Sequence, residues 1–528
     1  ASGLFGLLFF LTHWRWVLGT TPPGYVAGSA YLALHCVLAA FPIRHLVRRR
    51  GVPMTLAFPL VWVLLEFFRS RGPLAFPWFL LGHSQIRALP MVQLADITGV
   101  YGITFVVAMV NGLIVDLLLG RLRPTSLAPL PRRRLITAGV ATGACVAGTL
   151  GYGFVRLAQL ETTRGPRVAV LQGDYLLSPD PNFKTPSDIE KQNAYLSLLA
   201  QAAENAPDLI VLPETPWSMY MNREFRELSE ERLAEVPTNE LRWWRATIRQ
   251  NRNLRALLAR LAENYGASIL IGGMSLELQP KGTYPQEHRY NSAFLLRPDG
   301  TEERYDKIHL VLFGEYVPFR YTPGLHWLYR WLNSITPWGA GGFEYSLTPG
   351  AAPKVLDMTD RSGAGHTFGV TICYEDVIPQ LFRRFILDDQ GRKRVNFMLN
   401  ISNDGWFGHG PQQSQHLVNC AFRAIENRVG IARSVNTGVS GFIRPDGTWY
   451  EVVGDQKRPY AGGTGYRVAE LVSSPQTTFY SRWGDVFGVV CSLVALAAVG
   501  DALWCRRRSR RRVSASEEHT REPAVQPG

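Results

Sequence analysis

Six long apolar segments set the first constraint on this chain, because runs approaching bilayer length are typical of membrane helices. They crowd residues 1–157 and 486–504, whereas residues 166–475 have the mixed composition of an ordinary globular domain. The candidate membrane spans are 2–11, 26–43, 52–68, 99–119, 135–155 and 486–504. The polar middle part could not bury six such segments, so we predict about five N-terminal membrane helices and one C-terminal helix. The chain opens inside an apolar run at Ala1, so we expect its N-terminus to be incomplete.

The basic residues lie beside these apolar segments. The formal net charge is +13, and arginine-rich runs occupy 44–50, 131–134 and 505–512. Positive charge that flanks membrane spans marks the cytoplasmic side. We therefore expect a basic cytoplasmic tail over 505–528 and the 166–475 domain on the opposite face. This distribution argues against nucleic acid as a partner. The alternative is a cytoplasmic domain that buries the apolar segments as core helices.

The middle part of the chain alternates strand-like and helix-like stretches. Short, branched apolar runs with polar ends are typical of buried strands. They lie at 167–174, 208–215, 267–274, 291–300, 368–375 and 395–404. Helical stretches lie at 187–205, 253–265 and 412–428. The alternation predicts a layered α/β domain, and sites in such domains usually lie where strands end.

Three residues with the chemistry of acyl transfer lie at or near strand ends, namely Glu214, Lys307 and Cys373. A carboxylate can take the proton of a thiol, which then becomes a nucleophile. An ammonium and a backbone N–H can stabilise the oxyanion that forms on attack at a carbonyl. Each residue also has a plainer interpretation: Cys373 as a packing residue, Lys307 as a solvated charge and Glu214 as a turn residue.

The cysteines and histidines indicate no other chemistry. The six cysteines are too scattered for a disulfide framework. His409 and His416 are not at helical ligand spacing, so we expect neither a metal nor a cofactor. Cys420 lies in a helix-like stretch, where we interpret it as a buried, dispensable residue.

The motifs around the three reactive residues resemble those of the carbon–nitrogen hydrolase (nitrilase) superfamily over about residues 166–475. In chain order the matching blocks are LPE, YDKIHLVLFGEYVPF, CYED, NISNDGWFG and RAIENR. The loop EFFRSRGPLAFPWFLLGHSQ at 66–85, together with the flanking spans, resembles the bacterial apolipoprotein N-acyltransferase branch. The resemblance implies a multi-span α-helical membrane domain joined to an α/β nitrilase-like α-β-β-α sandwich.

The resemblance also implies a role for each site residue. The base, the oxyanion stabiliser and the nucleophile would be Glu214, Lys307 and Cys373, in that order. Glu315 would orient the lysine, and the Tyr374 N–H would complete the oxyanion hole. Glu375 matches a residue that flanks the family's cysteine. A pair with an arginine is the plainer interpretation of Glu375.

The implied activity is two-step, ping-pong acyl transfer. An acyl chain would pass from a membrane phospholipid to a cysteine thioester and then to the N-terminal amine of a diacylglyceryl apolipoprotein. The expected enzyme is a monomer in the lipid bilayer of a bacterial inner membrane, with its catalytic domain on the periplasmic side. The rivals are a membrane-tethered nitrilase-type amidase and a non-catalytic membrane scaffold.

Four aromatic residues are candidates for substrate or lipid contact: Phe76, Trp78, Phe183 and Trp217. Phe183 is the nearest aromatic to the place where the family carries a tryptophan in a Lys-Trp pair, so we expect the lipid contact there to be altered. The segment 217–253 follows Glu214 and mixes aromatic with charged residues. We interpret it as a mobile arm that contacts lipid. The alternative is an amphipathic helix packed on the sheet.

Overall fold

The computed structural model describes residues 1–72, 74–122, 130–178, 182–235, 240–279, 287–320, 322–336, 346–454 and 462–519. Its N-terminal third is helical. The helices are α1 (Ser2–His13), α2 (Pro22–Arg50), α3 (Met54–Arg69), α4 (Leu89–Val92), α5 (Ala95–Thr98), α6 (Val100–Leu122) and α7 (Arg132–Ala158). Each predicted apolar segment in this region forms one of the longer helices.

Four helices of the described chain are long and apolar enough to cross a membrane: Pro22–Arg50, Val100–Leu119, Arg132–Ala158 and Val486–Cys505. The two other predicted spans, 2–11 and 52–68, form shorter helices, and the count of six spans stays a prediction. Helix α1 has 12 residues and α3 has 16, and a perpendicular span needs about 20. Pro53 lies at the N-cap of α3 and has no backbone N–H. An extension of α3 toward the N-terminus would therefore interrupt its hydrogen-bond pattern.

The long helices expose apolar side chains that a water-soluble protein would bury. Val26, Val140 and Leu493 are each more than half exposed, and lipid is the solvent in which such faces are stable. The last of these lies on α16 (Val486–His519), which packs against α3 at the other end of the chain. The C-terminal helix thus joins the N-terminal helices in one membrane part.

The middle of the chain folds into two mixed sheets of six strands each. The strands are β1 (Thr163–Gln172), β2 (Leu209–Val211), β3 (Ser268–Leu278), β4 (Glu287–Leu296), β5 (Glu302–Asp306), β6 (Val355–Thr359), β7 (Gly365–Ile372), β8 (Phe397–Ser402), β9 (Gly430–Val435), β10 (Gly441–Ile443), β11 (Trp449–Tyr450) and β12 (Gly465–Ser473). The order is β12-β1-β2-β3-β4-β5 in the first sheet and β11-β10-β9-β8-β7-β6 in the second. All six predicted strands are present, although β2 is only three residues long.

A single apolar core joins the two sheets, with Val170 and Leu270 from the first against Phe368 and Leu399 from the second. Helices cover the outer faces: α8 (Asp188–Ala203) and α11 (Leu241–Tyr265) on the first sheet, α13 (Pro379–Arg383) and α14 (Pro411–Asn427) on the second. The remaining helices are α9 (Arg223–Arg226), α10 (Glu230–Leu233), α12 (His326–Ser334) and α15 (Phe479–Trp483). This arrangement confirms the predicted α-β-β-α sandwich.

The segment 217–253 is packed on the first sheet, contrary to the interpretation as a mobile arm. Phe225 of α9 and Trp244 of α11 share an apolar cluster with Leu276 of β3. The Met221 N–H donates to the carbonyl of Met274, 3.0 Å away. Residues 236–239 lie outside the described part of the chain. The contacts favour the alternative, an amphipathic helix held on the sheet, because α11 buries one face and exposes the other.

Candidate active site

Three strand ends bring the predicted catalytic residues together at one edge of the sandwich. Glu214 lies three residues beyond β2, Lys307 directly follows β5, and Cys373 directly follows β7. The Lys307 ammonium lies 3.5 Å from a carboxylate oxygen of Glu214. Beyond the effect of burial, the charge of the same carboxylate acts on the Cys373 thiol and raises its pKa. Side chains from both sheets therefore meet in one buried polar cluster.

Cys373 lies at a sharp turn from strand to helix. Its φ is 52°, in the left-handed region that side chains other than glycine rarely adopt. Residues Cys373–Val377 then form a 3-10 helix, which we call the nucleophile turn. Burial and the neighbouring Glu214 charge raise the pKa of the Cys373 thiol well above its usual value, against the opposing charge of Lys307. A thiol with a raised pKa needs a base to become a nucleophile.

Glu214 is buried beside that thiol. Burial raises the pKa of its carboxyl, against the effect of the Lys307 charge. Asn291 of β4 donates to Glu214 Oε1 at 2.7 Å. Gly272 of β3 leaves room for the turn, since a Cβ there would lie 2.7 Å from the Glu214 Cα. A carboxyl with a raised pKa suits the role of a base that holds a proton between two chemical steps.

Lys307 is buried between two glutamates. Its Nζ lies 2.7 Å from Glu315 Oε1. Burial lowers the pKa of Lys307, but the Glu315 and Glu214 charges outweigh burial and raise it above its usual value. Glu315 also accepts the Val311 N–H at 2.8 Å, so its position is fixed by its own loop. The ammonium therefore stays charged and has a defined place.

Glu375 fastens the nucleophile turn to the loop that carries Lys307. Its carboxylate accepts the N–H groups of Ile308 at 2.6 Å, His309 at 3.1 Å and Ile372 at 2.9 Å, and the hydroxyl of Tyr305. The interpretation as an arginine pair is thus wrong. Burial raises the pKa of Glu375 to about 7, and the backbone donors act against that rise. Glu375 therefore positions the two loops that carry Lys307 and Cys373 relative to each other.

An aromatic stack connects the nucleophile turn with the membrane part. The ring of Tyr374 is parallel to Trp78 within 3°, with centroids 6.2 Å apart, and lies 6.4 Å from Phe76. Glu66 of α3 anchors the end of that loop by accepting the Leu81 N–H at 2.7 Å. Phe76 is half-buried and Trp78 is buried beside the nucleophile turn, so both rings pack on the site, and their role as substrate or lipid contacts stays a prediction.

The two other predicted contact residues lie elsewhere. Trp217 is only 3% exposed and packs in the core under the first sheet, near Tyr195. Its assignment as a lipid contact is therefore wrong, because its ring is covered by the protein itself. Phe183 is 42% exposed in the loop after β1. It has the exposure that a lipid contact needs, and its role stays a prediction.

Sequence reasoning missed two asparagines that hold the site together. Asn291 donates to both Glu214 and Glu315, the latter at 3.1 Å. Asn400 of β8 donates to the Cys373 carbonyl at 3.3 Å and accepts from Arg433 Nε at 3.0 Å. A polar residue within or at the end of an apolar strand was the available signal, because buried polar groups must find partners.

Comparisons with known proteins identify the families to which the two parts of the chain are similar. A family model for the N-terminal domain of apolipoprotein N-acyltransferase matches residues 1–113, and one for carbon-nitrogen hydrolase matches residues 167–464. The apolipoprotein N-acyltransferase of Geobacter metallireducens is 33% identical over 485 residues, 91% of this chain and 80% of that protein. Apolipoprotein N-acyltransferase 2 of Treponema pallidum is 28% identical over 90% of this chain and 81% of its own length.

Among solved structures, an amidase from Nesterenkonia sp. AN1 is 16% identical. The match covers 60% of this chain and 96% of the amidase, with a TM-score of 0.36.

Proposed function

The chain belongs to the apolipoprotein N-acyltransferase family, and from that premise we propose a specific route for acyl transfer through Cys373. The donor is a membrane phospholipid, and the acceptor is the N-terminal amine of an S-diacylglyceryl-cysteine lipoprotein. The observation that carries the proposal is the cluster of Glu214 and Lys307, whose charges act on the Cys373 thiol, beside Phe76 and Trp78 from the membrane part.

In the first step, Glu214 takes the thiol proton while the sulfur attacks the ester carbonyl of the phospholipid. The carbonyl oxygen becomes an oxyanion, which the Lys307 ammonium and the Tyr374 N–H stabilise. The first amides of a helical turn have no partner within that turn, so the Tyr374 N–H is suited to this role. The intermediate then collapses to a thioester, and the lysophospholipid oxygen leaves with the proton from Glu214.

In the second step, the lipoprotein amine attacks the thioester carbon. The amine loses a proton to Glu214, an amide bond forms, and the sulfur leaves and recovers a proton as the thiol. Burial raises the pKa of Glu214, which makes this carboxyl a better proton acceptor than a solvated one. No cofactor is needed, since one base and one cation serve both steps.

The proposed setting is a bacterial inner membrane with the sandwich on the periplasmic side. The arginine-rich runs at 44–50 and 131–134 support this orientation, because such runs stay on the cytoplasmic face. Both substrates are lipid-anchored, and the aromatic stack next to Tyr374 supports access to the nucleophile from the membrane side.

Mass spectrometry of the purified protein after incubation with phospholipid tests the proposal. We expect a mass gain of one acyl group on Cys373, lost when a diacylglyceryl peptide is added. Cys373→Ala should give no adduct. Cys420→Ala is the matched control, because Cys420 is a buried thiol of α14 and should leave the adduct intact. Turnover of a small amide without any acyl adduct would favour the amidase instead.

A further inference from the structure

His416 of α14 lies buried between two carboxylates, outside the set of residues that touch the reacting atoms. Its Nε2 is 2.8 Å from Asp376 and its Nδ1 is 2.9 Å from Asp404. A protonated imidazole donates from both ring nitrogens, so it satisfies both carboxylates. A neutral imidazole has one donor only and would face one carboxylate with a lone pair.

The surroundings favour the cation. Burial lowers the pKa of His416, but Asp376 and Asp404 outweigh it and raise the pKa to about 9. The positive charge of Arg433, on strand β9, acts against this rise. Residues 74–80, which follow α3 and which we call the membrane loop, face His416 with the uncharged ring of Trp78, whose centroid is 5.5 Å away.

Asp376 belongs to the nucleophile turn, so one end of this bridge holds the strained turn at Cys373. The other end acts through Asp404, which lies 3.4 Å from Arg433 Nη2. Arg433 in turn donates to Asn400, the residue that holds the Cys373 carbonyl. The bridge therefore reaches the nucleophile by two separate routes.

The same part of α14 also holds the membrane loop. Gln415, next to His416, accepts the Trp78 indole N–H at 2.7 Å. Trp78 in turn stacks parallel to Tyr374 in the nucleophile turn. The cation and its neighbour thus fix the turn and the loop relative to one another.

We propose that protonated His416 is a positioning residue that holds the nucleophile turn in its attacking geometry against the membrane loop. The inference rests on the proposed acyl transfer through Cys373. Loss of the proton frees one carboxylate from the bridge and relaxes the turn, so acylation slows. A displacement of about 1 Å in a reacting group can cost about 100-fold in rate.

The test is the rate of acyl-Cys373 formation between about pH 6 and 10, followed by mass spectrometry with labelled phospholipid. In the wild type we expect the rate to fall above about pH 9, the pKa that the carboxylates give His416. His416→Gln should lower the rate by about 10- to 100-fold at neutral pH and remove the alkaline decline.

His366→Gln is the matched control. His366 also pairs with a carboxylate, Asp360, at 2.8 Å, but at the start of β7, the end opposite to Cys373. The His366→Gln variant should keep both the acylation rate and the decline at alkaline pH.

Asp376→Asn offers a second variant that retains the histidine. Removing one carboxylate should lower the pKa of His416, so the decline should move to lower pH.

The outcomes separate the two proposals. An adduct in the wild type together with an unchanged rate and pH profile in His416→Gln would overturn the positioning role alone. If His416→Gln does not fold, an unmoved decline in Asp376→Asn would have the same meaning. If wild-type protein forms no adduct at any pH, the acyl transfer itself is wrong and this inference is overturned with it.

Discussion

Lys307 keeps its charge through two carboxylates although it is almost fully buried. An isolated buried ammonium would lose its proton, because desolvation penalises the charged form. Here Glu315 fixes the position of the Lys307 ammonium. Glu214 interacts with both this ammonium and the Cys373 thiol. The arrangement places a compact charge at a defined point, which differs from a diffuse positive field.

Lys307→Arg should therefore fail almost as completely as Lys307→Met. A guanidinium is planar and larger than an ammonium, and it cannot place its charge at the same point. Loss of one oxyanion-stabilising donor typically costs about 100- to 1000-fold in rate. Single-turnover acylation of Cys373 measures this loss.

Lys354→Arg provides the control for the arginine substitution. Lys354 pairs with Glu303 at 2.9 Å and is partly exposed, so the change should leave acylation unaltered. Near-normal acylation by Lys307→Arg would show that any cation in the cluster is sufficient.

His416 should also make stability depend on pH. Its pKa of about 9 in the folded protein exceeds the value of 6.5 of an unperturbed histidine. The resulting stabilisation is fully present below pH 6.5 and is lost as pH rises through about 9. The full difference is on the order of 3 kcal/mol.

Unfolding of the detergent-solubilised protein at about pH 6 and pH 9.5 measures this stabilisation. His366→Gln should retain the alkaline loss of stability, and His416→Gln should lack it between these two pH values. Equal losses in wild type and His416→Gln would assign the effect to another group.

The buried face of helix α11 holds the segment 217–253 on the first sheet. Its buried side chains include Trp244 and Ile248, whereas the adjacent Trp243 is 52% exposed. Arg226 and Arg255 form ion pairs with Glu302 of β5. These ion pairs also hold the segment 217–253 on the first sheet. The segment after the base is therefore part of the scaffold.

The neighbouring tryptophans allow a matched test of this docking. Trp244→Ala should destabilise the protein by about 3–5 kcal/mol, the usual cost of removing a large core aromatic. Trp243→Ala should cost much less, because that ring is largely exposed. Thermal unfolding in detergent compares the two. Equal effects would show that the segment is not held by its apolar face.

The membrane part and the sandwich are joined by buried charge as well as by aromatic packing. Asp96 of α5 accepts from Arg428 at 2.8 Å and from Arg156 of α7 at 2.8 Å. Arg428 is the C-cap of α14, the helix that carries His416. Breaking one partner of such a buried pair is usually costly. The two parts are thus held in a fixed relation, and the nucleophile keeps one orientation to the membrane.

That fixed relation makes the orientation of the whole chain testable. A reporter that is active only outside the cytoplasm, inserted near Gly300 in the exposed turn between β4 and β5, should give a signal. The same reporter after residue 512, behind the arginine-rich run, should be silent. The opposite pair of results would place the sandwich in the cytoplasm.

The sequence by itself determined the apolar helices, the sandwich and the placement of Glu214, Lys307 and Cys373 after strands. Hydropathy is a local property, and the motifs around Glu214, Lys307 and Cys373 lie where apolar runs stop. Strands β2 and β5 run in the same direction and present Glu214 and Lys307 at one edge of the first sheet, whereas Cys373 reaches them from the second sheet. The predicted segment 52–68 nearly coincides with α3, because Pro53 and the turn after Arg69 set its limits.

Only the tertiary structure decided which partners the other polar and aromatic residues take. Trp217 is buried because α8 and α11 cover it, and Glu375 binds backbone amides that are more than 60 residues away in the chain. His416 becomes a bridge only when the turn after β7 and the loop after β8 meet α14. Burial and charge pairing depend on segments that are distant in sequence, and no local pattern of residues records which of them will meet.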